Sequence, residues 1–401
     1  MRILYLTPRP PFPPEGRETV RPYHQIRSLA LRHDVDLMCF SGPGLDEWEA
    51  RERLRNLCHR VQIMPIETPP QNPEHVLNLF ARHPLAYRRY FRRELLKRLE
   101  PIGESKRYDL VFVHSAAMAP YLEAFPETPK VLDLGEAGAL RWAEYSRLSR
   151  FPASAMYKAE SSRLMQTELG AAAQAQRILF ASENEAAAFR ALCPENERIV
   201  ALKTPVNPRT PNPGPWAAEP TVLFTGHFDH FPNNDAAHRL LTDIFPRIQA
   251  LSPNVRLALA GQNPSPEIQS LCERPEITLT THPADLPLLF KESWLALAPH
   301  RVERGVRNEI LEAMAARLPV VATEEAMAGL DLLAGRDLVV ESNPARFAAE
   351  VVRLLEDPGK LDEIGDYGRK AIHNNYSHWS VAIRIEEFVN QACAERLEPV
   401  K

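Results

Sequence analysis

Apolar residues along the chain fall in short continuous runs, separated by stretches in which apolar positions recur every three or four residues. In the first half the runs are Ile3 to Thr7, Val35 to Phe40, Val61 to Pro65, Leu110 to Val113, Val131 to Leu134 and Ile178 to Phe180. They alternate with helical patterns such as Tyr23 to Arg32 and Ala155 to Ala173. Short runs rich in apolar and β-branched residues predict strands, and their alternation with helices predicts a parallel sheet covered on both sides, the doubly wound α/β class. A second series starts at Val222 to Thr225 and continues through Leu257 to Ala260, Ile277 to Thr280, Leu295 to Ala298, Val320 to Ala322 and Leu338 to Val340. Proline crowds the stretch between the two series, and proline can hold neither a ladder nor a helix. The pattern predicts a first domain over 1–203, a linker over 204–220, a second domain over 221–378 and a terminal helical segment over 379–401.

Length agrees with this division, because 401 residues are too many for one ordinary core. A net charge of −4 provides no general attraction for nucleic acid, and none is expected as a partner. The five cysteines, Cys39, Cys58, Cys193, Cys272 and Cys393, lack metal-ligand or redox spacing and read as buried thiols. No apolar run is long enough to span a bilayer and the start lacks a cleavage pattern, so the expected location is the cytoplasm.

The most informative local pattern joins the strand ending Ala298-Pro299 to the loop His300 to Asn308, the helix Glu309-Ile-Leu-Glu312-Ala-Met-Ala315 and the buried run Leu318 to Ala322. A loop containing Gly305 that feeds a helix N-terminus aims several backbone N–H groups at one point, which suits an anion. Arg301, Arg304 and Arg307 add positive charge to that point. Glu312, one turn into the helix, is placed to accept hydrogen bonds from sugar hydroxyls. Phosphate with ribose implies a nucleotide. Gly16 stands alone after the first strand, so no dinucleotide-binding fingerprint is present.

At these residues the chain resembles the retaining glycosyltransferases of family 4, most closely the sugar transferases of bacterial exopolysaccharide (PEP-CTERM associated) gene clusters. The resemblance covers nearly the whole chain. It includes Arg2 to Thr7, Pro13-Pro-Glu-Gly16, Arg21-Pro-Tyr-His24, Leu132-Asp133 through Trp142 and Tyr145, and Ser182-Glu-Asn-Glu185. Thr225-Gly226 with Pro232-Asn233, and Gly261-Gln-Asn-Pro264, follow in the same order. It implies the GT-B architecture, two Rossmann-like domains facing a cleft, with the terminal helix crossing back to the first. The implied activity is transfer of a hexose from a nucleotide-diphosphate sugar to a glycan or lipid-linked acceptor, with retention, in exopolysaccharide or cell-surface glycan synthesis. The donor side would be formed by Gly16, Gly226, His227, Arg301, Gly305, Val306, Arg307, Asn308 and Glu312, with Glu312 on the ribose. His114, at the carboxyl end of the strand Leu110 to Val113, would face the sugar, and Glu136 the acceptor.

Two departures from the family pattern bear on the chemistry. The glutamate that usually precedes the ribose-binding one by eight positions is Arg304 here, with Glu303 beside it, which leaves the sugar-contact role unassigned and keeps Arg304, Glu303 and His114 as the catalytic candidates. The usual Arg and Lys after the first strand of the second domain are also missing from the stretch His227 to Pro232. No cofactor or metal is expected, since the arginine loop and helix dipole can carry the diphosphate charge. The only Asp-x-Asp, Asp34-Val35-Asp36, opens a strand at the wrong end of its sheet. These departures keep a second class open, a noncatalytic nucleotide-sugar-binding or scaffold subunit; a sugar-nucleotide epimerase is a third. The basic stretch Arg82 to Leu99, with Tyr87, Phe91, Leu95 and Leu99 in one stripe, describes either a core-packed surface helix or a peripheral contact with anionic membrane at its inner face.

Overall fold

The strand Arg2–Leu6 is almost fully buried from Ile3 onward, which requires cover on both faces of its sheet. The computed structural model describes residues 1–14, 17–42, 46–66, 83–194, 196–206, 219–282, 286–302 and 306–395. The chain divides into two units, Met1–Pro205 together with His378–Lys401, and Val206–Ser377.

In the first unit, β1 (Arg2–Leu6), β2 (Asp34–Phe40), β3 (Arg60–Met64), β4 (Leu110–His114), β5 (Lys130–Gly135), β6 (Arg177–Phe180) and β7 (Ile199–Ala201) form one sheet. Every pairing is parallel and the order is β3-β2-β1-β4-β5-β6-β7. The second unit repeats the plan with β8 (Thr221–Thr225), β9 (Arg256–Ala260), β10 (Ile277–Thr280), β11 (Leu295–Ala298), β12 (Val320–Ala322) and β13 (Val339–Val340). Its order is β10-β9-β8-β11-β12-β13, also parallel. Both sheets reverse their winding at one place, between β1 and β4 and between β8 and β11. Beyond the carboxyl ends of such a strand pair the covering helices diverge and leave a crevice, the usual ligand position in this fold class.

Three expectations are adjusted. The strand β7 was not anticipated, being only Ile-Val-Ala beside a proline-rich segment. The helix expected over Tyr23 to Arg32 is Arg17–Leu29 and tolerates Pro22 inside it. The stripe from Tyr87 to Leu99 is not one helix: Leu85–Tyr90 and Arg93–Glu104 are separated by Phe91 and Arg92 in extended conformation. The cause is Tyr121, whose hydroxyl accepts from the Arg92 N–H at 2.8 Å and donates to the Tyr90 carbonyl at 2.8 Å, taking up backbone groups that a continuous helix would pair internally. Leu95 and Leu99 are buried, while Arg88, Arg93, Lys97 and Arg98 are exposed. Arg82 and most of the expected linker, 207–218, lie outside the described residues.

The helix His378–Ala394 belongs to the first unit, where Val381, Ile385, Phe388, Val389 and Ala392 pack with Ile3, Tyr5, Ile26 and Phe112. Among the described residues no helix is long and apolar enough to cross a membrane.

Candidate functional site

In the second unit the crevice begins where β8 ends. Gly226 follows Thr225, and a Cβ there would lie 2.8 Å from Asn233 Nδ2. A Cβ on Gly261 would lie 1.7 Å from the Gly226 carbonyl oxygen, so the two strand ends approach at a distance only glycine permits. Asn233, in the helix Phe231–Arg239, is buried and joins three segments. Its Nδ2 donates to the His227 carbonyl at 3.2 Å and to Glu309 Oε1 at 3.2 Å, and its Oδ1 meets His300 Nε2 at 3.1 Å. With both amide hydrogens given away, Oδ1 can only accept, so His300 donates from Nε2. Burial pushes the His300 pKa well below its ordinary value, and nearby Arg307 adds to this. The hydroxyl of Thr323, fully buried after β12, donates to the His300 carbonyl at 2.6 Å and accepts from the Ala326 N–H at 3.2 Å.

His300 is thus fixed through both its ring and its carbonyl. Arg301 forms an exposed ion pair with Asp235 of the neighbouring helix, and that hydrogen bond raises its pKa. Arg307 is buried and its Nη2 donates to the Val302 carbonyl at 2.7 Å, which ties these two residues together. Arg307 is also the residue before the helix Asn308–Ala315; it makes no side-chain cap, and its carbonyl accepts from the Ile310 N–H at 3.2 Å. Val306, Asn308 and Glu312 are half-buried, as is His227. Gly16, Glu303, Arg304 and Gly305 lie outside the described residues.

The first unit has a charged network at its own crevice. β4 and β5 pair in register so that His114 stands beside Asp133. Asp133 is fully buried and surrounded by donors. Arg21 Nε lies 2.8 Å from Oδ2 and Nη2 2.7 Å from Oδ1, Gln25 Nε2 donates to Oδ2 at 2.8 Å, and His114 Nδ1 meets Oδ2 at 2.8 Å. Burial works to raise the Asp133 pKa, but Arg21 and His114 outweigh it and hold the carboxyl below the usual range. Arg21 is itself satisfied, since Nη1 donates to the Leu202 carbonyl at 2.6 Å and to Thr204 Oγ1 at 3.1 Å. The chain then leaves β4 through Ser115, whose φ of 79° and N–H bond to the Asp133 carbonyl at 2.7 Å turn it sharply.

Glu136 follows β5 and is ion-paired with Arg141 of the helix Gly138–Leu148. Two buried carboxylates cap that helix: Glu185 Oε2 accepts from the Ala137 N–H at 2.8 Å and Glu168 Oε2 from the Ala139 N–H at 3.3 Å. Burial pushes the Glu168 pKa up to about 7. Asp36 of the Asp34-Val35-Asp36 run accepts from Arg2, His59 and Tyr108. Among the described residues no group of three or more His, Cys, Asp and Glu could hold a metal ion.

The structure brings Gly226, His227, Asn308 and Arg307 into one neighbourhood through Asn233 and His300, and sets Arg301 at its exposed edge. His114 and Glu136 belong to the other unit. Sequence reasoning singled out neither Gln25 nor Glu168, and it quoted Arg21, Asp133, Asn233 and His300 only as parts of longer motifs.

Residues 219–357 match the family model described as Glycosyl transferases group 1. That segment holds Gly226, Asn233, His300 and Glu312. The whole chain is similar in fold to sucrose-phosphate synthase of Thermosynechococcus elongatus, with TM-score 0.70 and 16% identity over 98% of this chain and 99% of that one. It is similar to Anabaena HepE in complex with UDP and glucose, with TM-score 0.67 and 15% identity over 97% and 99%. An S. aureus TarM variant in complex with fondaparinux, alpha-GlcNAc-glycerol and UDP gives TM-score 0.67 and 11% identity over 97% and 99%. No curated protein sequence matches the chain. The two doubly wound domains are those of the GT-B fold, and the group 1 match with that fold supports a glycosyltransferase.

Proposed function

We propose that this protein is a retaining, metal-independent glycosyltransferase that uses a nucleotide-diphosphate sugar and transfers a hexose to a glycan or lipid-linked acceptor. The observation that carries the reading is the Asn233 junction, which holds the β8 loop, the His300 loop and the Asn308–Ala315 helix around one point inside the segment that matches the group 1 model. Related structures contain UDP, with glucose or as UDP-glucose, which favours a uridine donor.

In this reading Glu312 accepts from the ribose hydroxyls, and the N–H groups from Gly305 to Asn308 receive the diphosphate. A leaving diphosphate gains charge as the sugar bond breaks, so donors fixed in advance act mainly on the transition state. Gly16, Gly226 and His227 close on the donor through backbone, Arg304 and the Asp235-paired Arg301 add cationic charge, and Glu303, His114 and Glu136 serve the sugar and acceptor side. The family 4 resemblance implies an exopolysaccharide or cell-surface glycan product, and the exposed Leu85, Arg88, Arg93, Lys97 and Arg98 support a contact with anionic membrane near a lipid-linked acceptor.

Calorimetry against a panel of nucleoside diphosphates, followed by donor turnover with and without chelator, tests this. Preference for UDP with turnover in chelator is expected; absence of binding to every nucleotide would overturn it. Arg304 standing where the family has glutamate favours one other reading, a noncatalytic binding subunit, and this would show as tight binding without donor hydrolysis.

A further inference from the structure

We infer that Asp133 is a positioning residue for His114, fixing the imidazole with its proton on Nδ1 so that Nε2 is presented as an acceptor to a hydroxyl of the bound sugar. This rests on the transferase reading for the sugar, but the geometry stands without it. A carboxylate whose pKa is held low accepts only, so the atom facing Asp133 Oδ2 at 2.8 Å must be the N–H of the ring, and the neutral ring then has its lone pair on Nε2.

The surroundings of Asp133 separate this arrangement from a simple ion pair. Arg21 already balances its charge with a two-point contact, and Gln25 donates to the same oxygen that His114 uses. Gln25 is itself oriented, since Tyr5 OH donates to its Oε1 at 2.5 Å. The carboxylate therefore cannot rotate away from His114 without breaking contacts to Arg21 and Gln25 of the helix Arg17–Leu29, of which Gln25 is held by Tyr5 of β1. The parallel register of His114 with Asp133 and the turn at Ser115 hold the ring from the backbone side. The ring is not sealed off, its side chain being 12% accessible.

Nitrogen NMR of the histidine-labelled full chain at pH 7.5, with the His114 signals assigned through His114→Asn, reads the tautomer directly. A protonated Nδ1 and an unprotonated Nε2 in the unaltered protein are expected; a proton on Nε2, or signals averaged between the two forms, would overturn the assignment. In Asp133→Asn, if it folds, the Nδ1–H preference should disappear and turnover should fall by about tenfold or more, with the nucleotide Kd within about twofold, as orienting partners of histidine do elsewhere. An unchanged tautomer in that variant would also overturn it. If the unaltered protein turns over no nucleotide sugar, the transferase reading fails, while the NMR result still decides the role of Asp133.

Discussion

Asn233 donates to Glu309 Oε1 at 3.2 Å, and through this bond the helix Phe231–Arg239 is tied to the first turn of the helix Asn308–Ala315. The same amide holds the β8 loop and faces His300, so one buried side chain ties together the β8 loop, the His300 segment and that helix. Replacement of Asn233 by Ala leaves the His300 Nε2–H and the His227 carbonyl without this partner. It should cost about 1–3 kcal/mol of stability and weaken nucleotide binding as well. Urea unfolding and calorimetry on the variant check both.

Glu312→Gln should weaken nucleoside diphosphate binding by about 1.5–3 kcal/mol, the worth of a hydrogen bond to a charged group. Equal affinity of the two proteins in calorimetry would remove Glu312 from the ribose site.

Gly261→Ala places a methyl group 1.7 Å from a backbone oxygen, with Phe228 Cε2 at 2.9 Å, and neither the strand end nor the buried ring has room to give. A loss of about 1–3 kcal/mol or more is expected, read as a lowered Tm. Gly170→Ala, where nothing lies within 4 Å, is the control and should be neutral or stabilising.

Glu168 gives a pH dependence with a definite sign. Its pKa rises on folding from an ordinary 4.5 to about 7, because burial disfavours the charged form. The folded state therefore binds the proton more tightly, so this group's contribution is fully present below about pH 4.5 and is lost as pH rises toward 7. At about 1.4 kcal/mol per tenfold in proton affinity the loss is about 3 kcal/mol. Glu168→Gln should flatten the stability profile between pH 5 and 8 and raise Tm at pH 8; an identical profile for the two proteins would remove Glu168 as the cause.

Under the proposed metal-independent reading, in which a helix terminus and arginines meet the diphosphate charge, donor turnover should persist in chelator. Activity lost in chelator and restored by manganese or magnesium would contradict this.

The strands were legible because parallel strands buried on both faces are written as short, mostly apolar runs, as Leu295–Ala298 and Ile3 to Leu6 are, too short for helices. The break at Phe91 was not, since the apolar period continues through it and the residue that stops the helix, Tyr121, is distant in sequence. The site divides in the same way. The loop and helix from His300 to Glu312 announce themselves locally through glycine, arginine and the cap position. The roles of Asn233, Gln25 and Asp133 come from partners brought together only by the sheet, and Arg307, legible as a free cation, is instead turned inward onto the Val302 carbonyl.

The last helix contributes Phe388 and Ile385 to a core begun by Ile3 and Tyr5, so the first unit is discontinuous in sequence and the second is inserted within it. On the ribosome, the first 205 residues emerge with one wall of their core missing, and the inserted unit has finished emerging before that wall is made. The second unit can mature alone; the first must wait with an apolar groove uncovered along β1 and the helix Arg17–Leu29. Shortening the chain at Ser377 would therefore leave the second unit folded and make the first unit, which the cut does not enter, the one that aggregates.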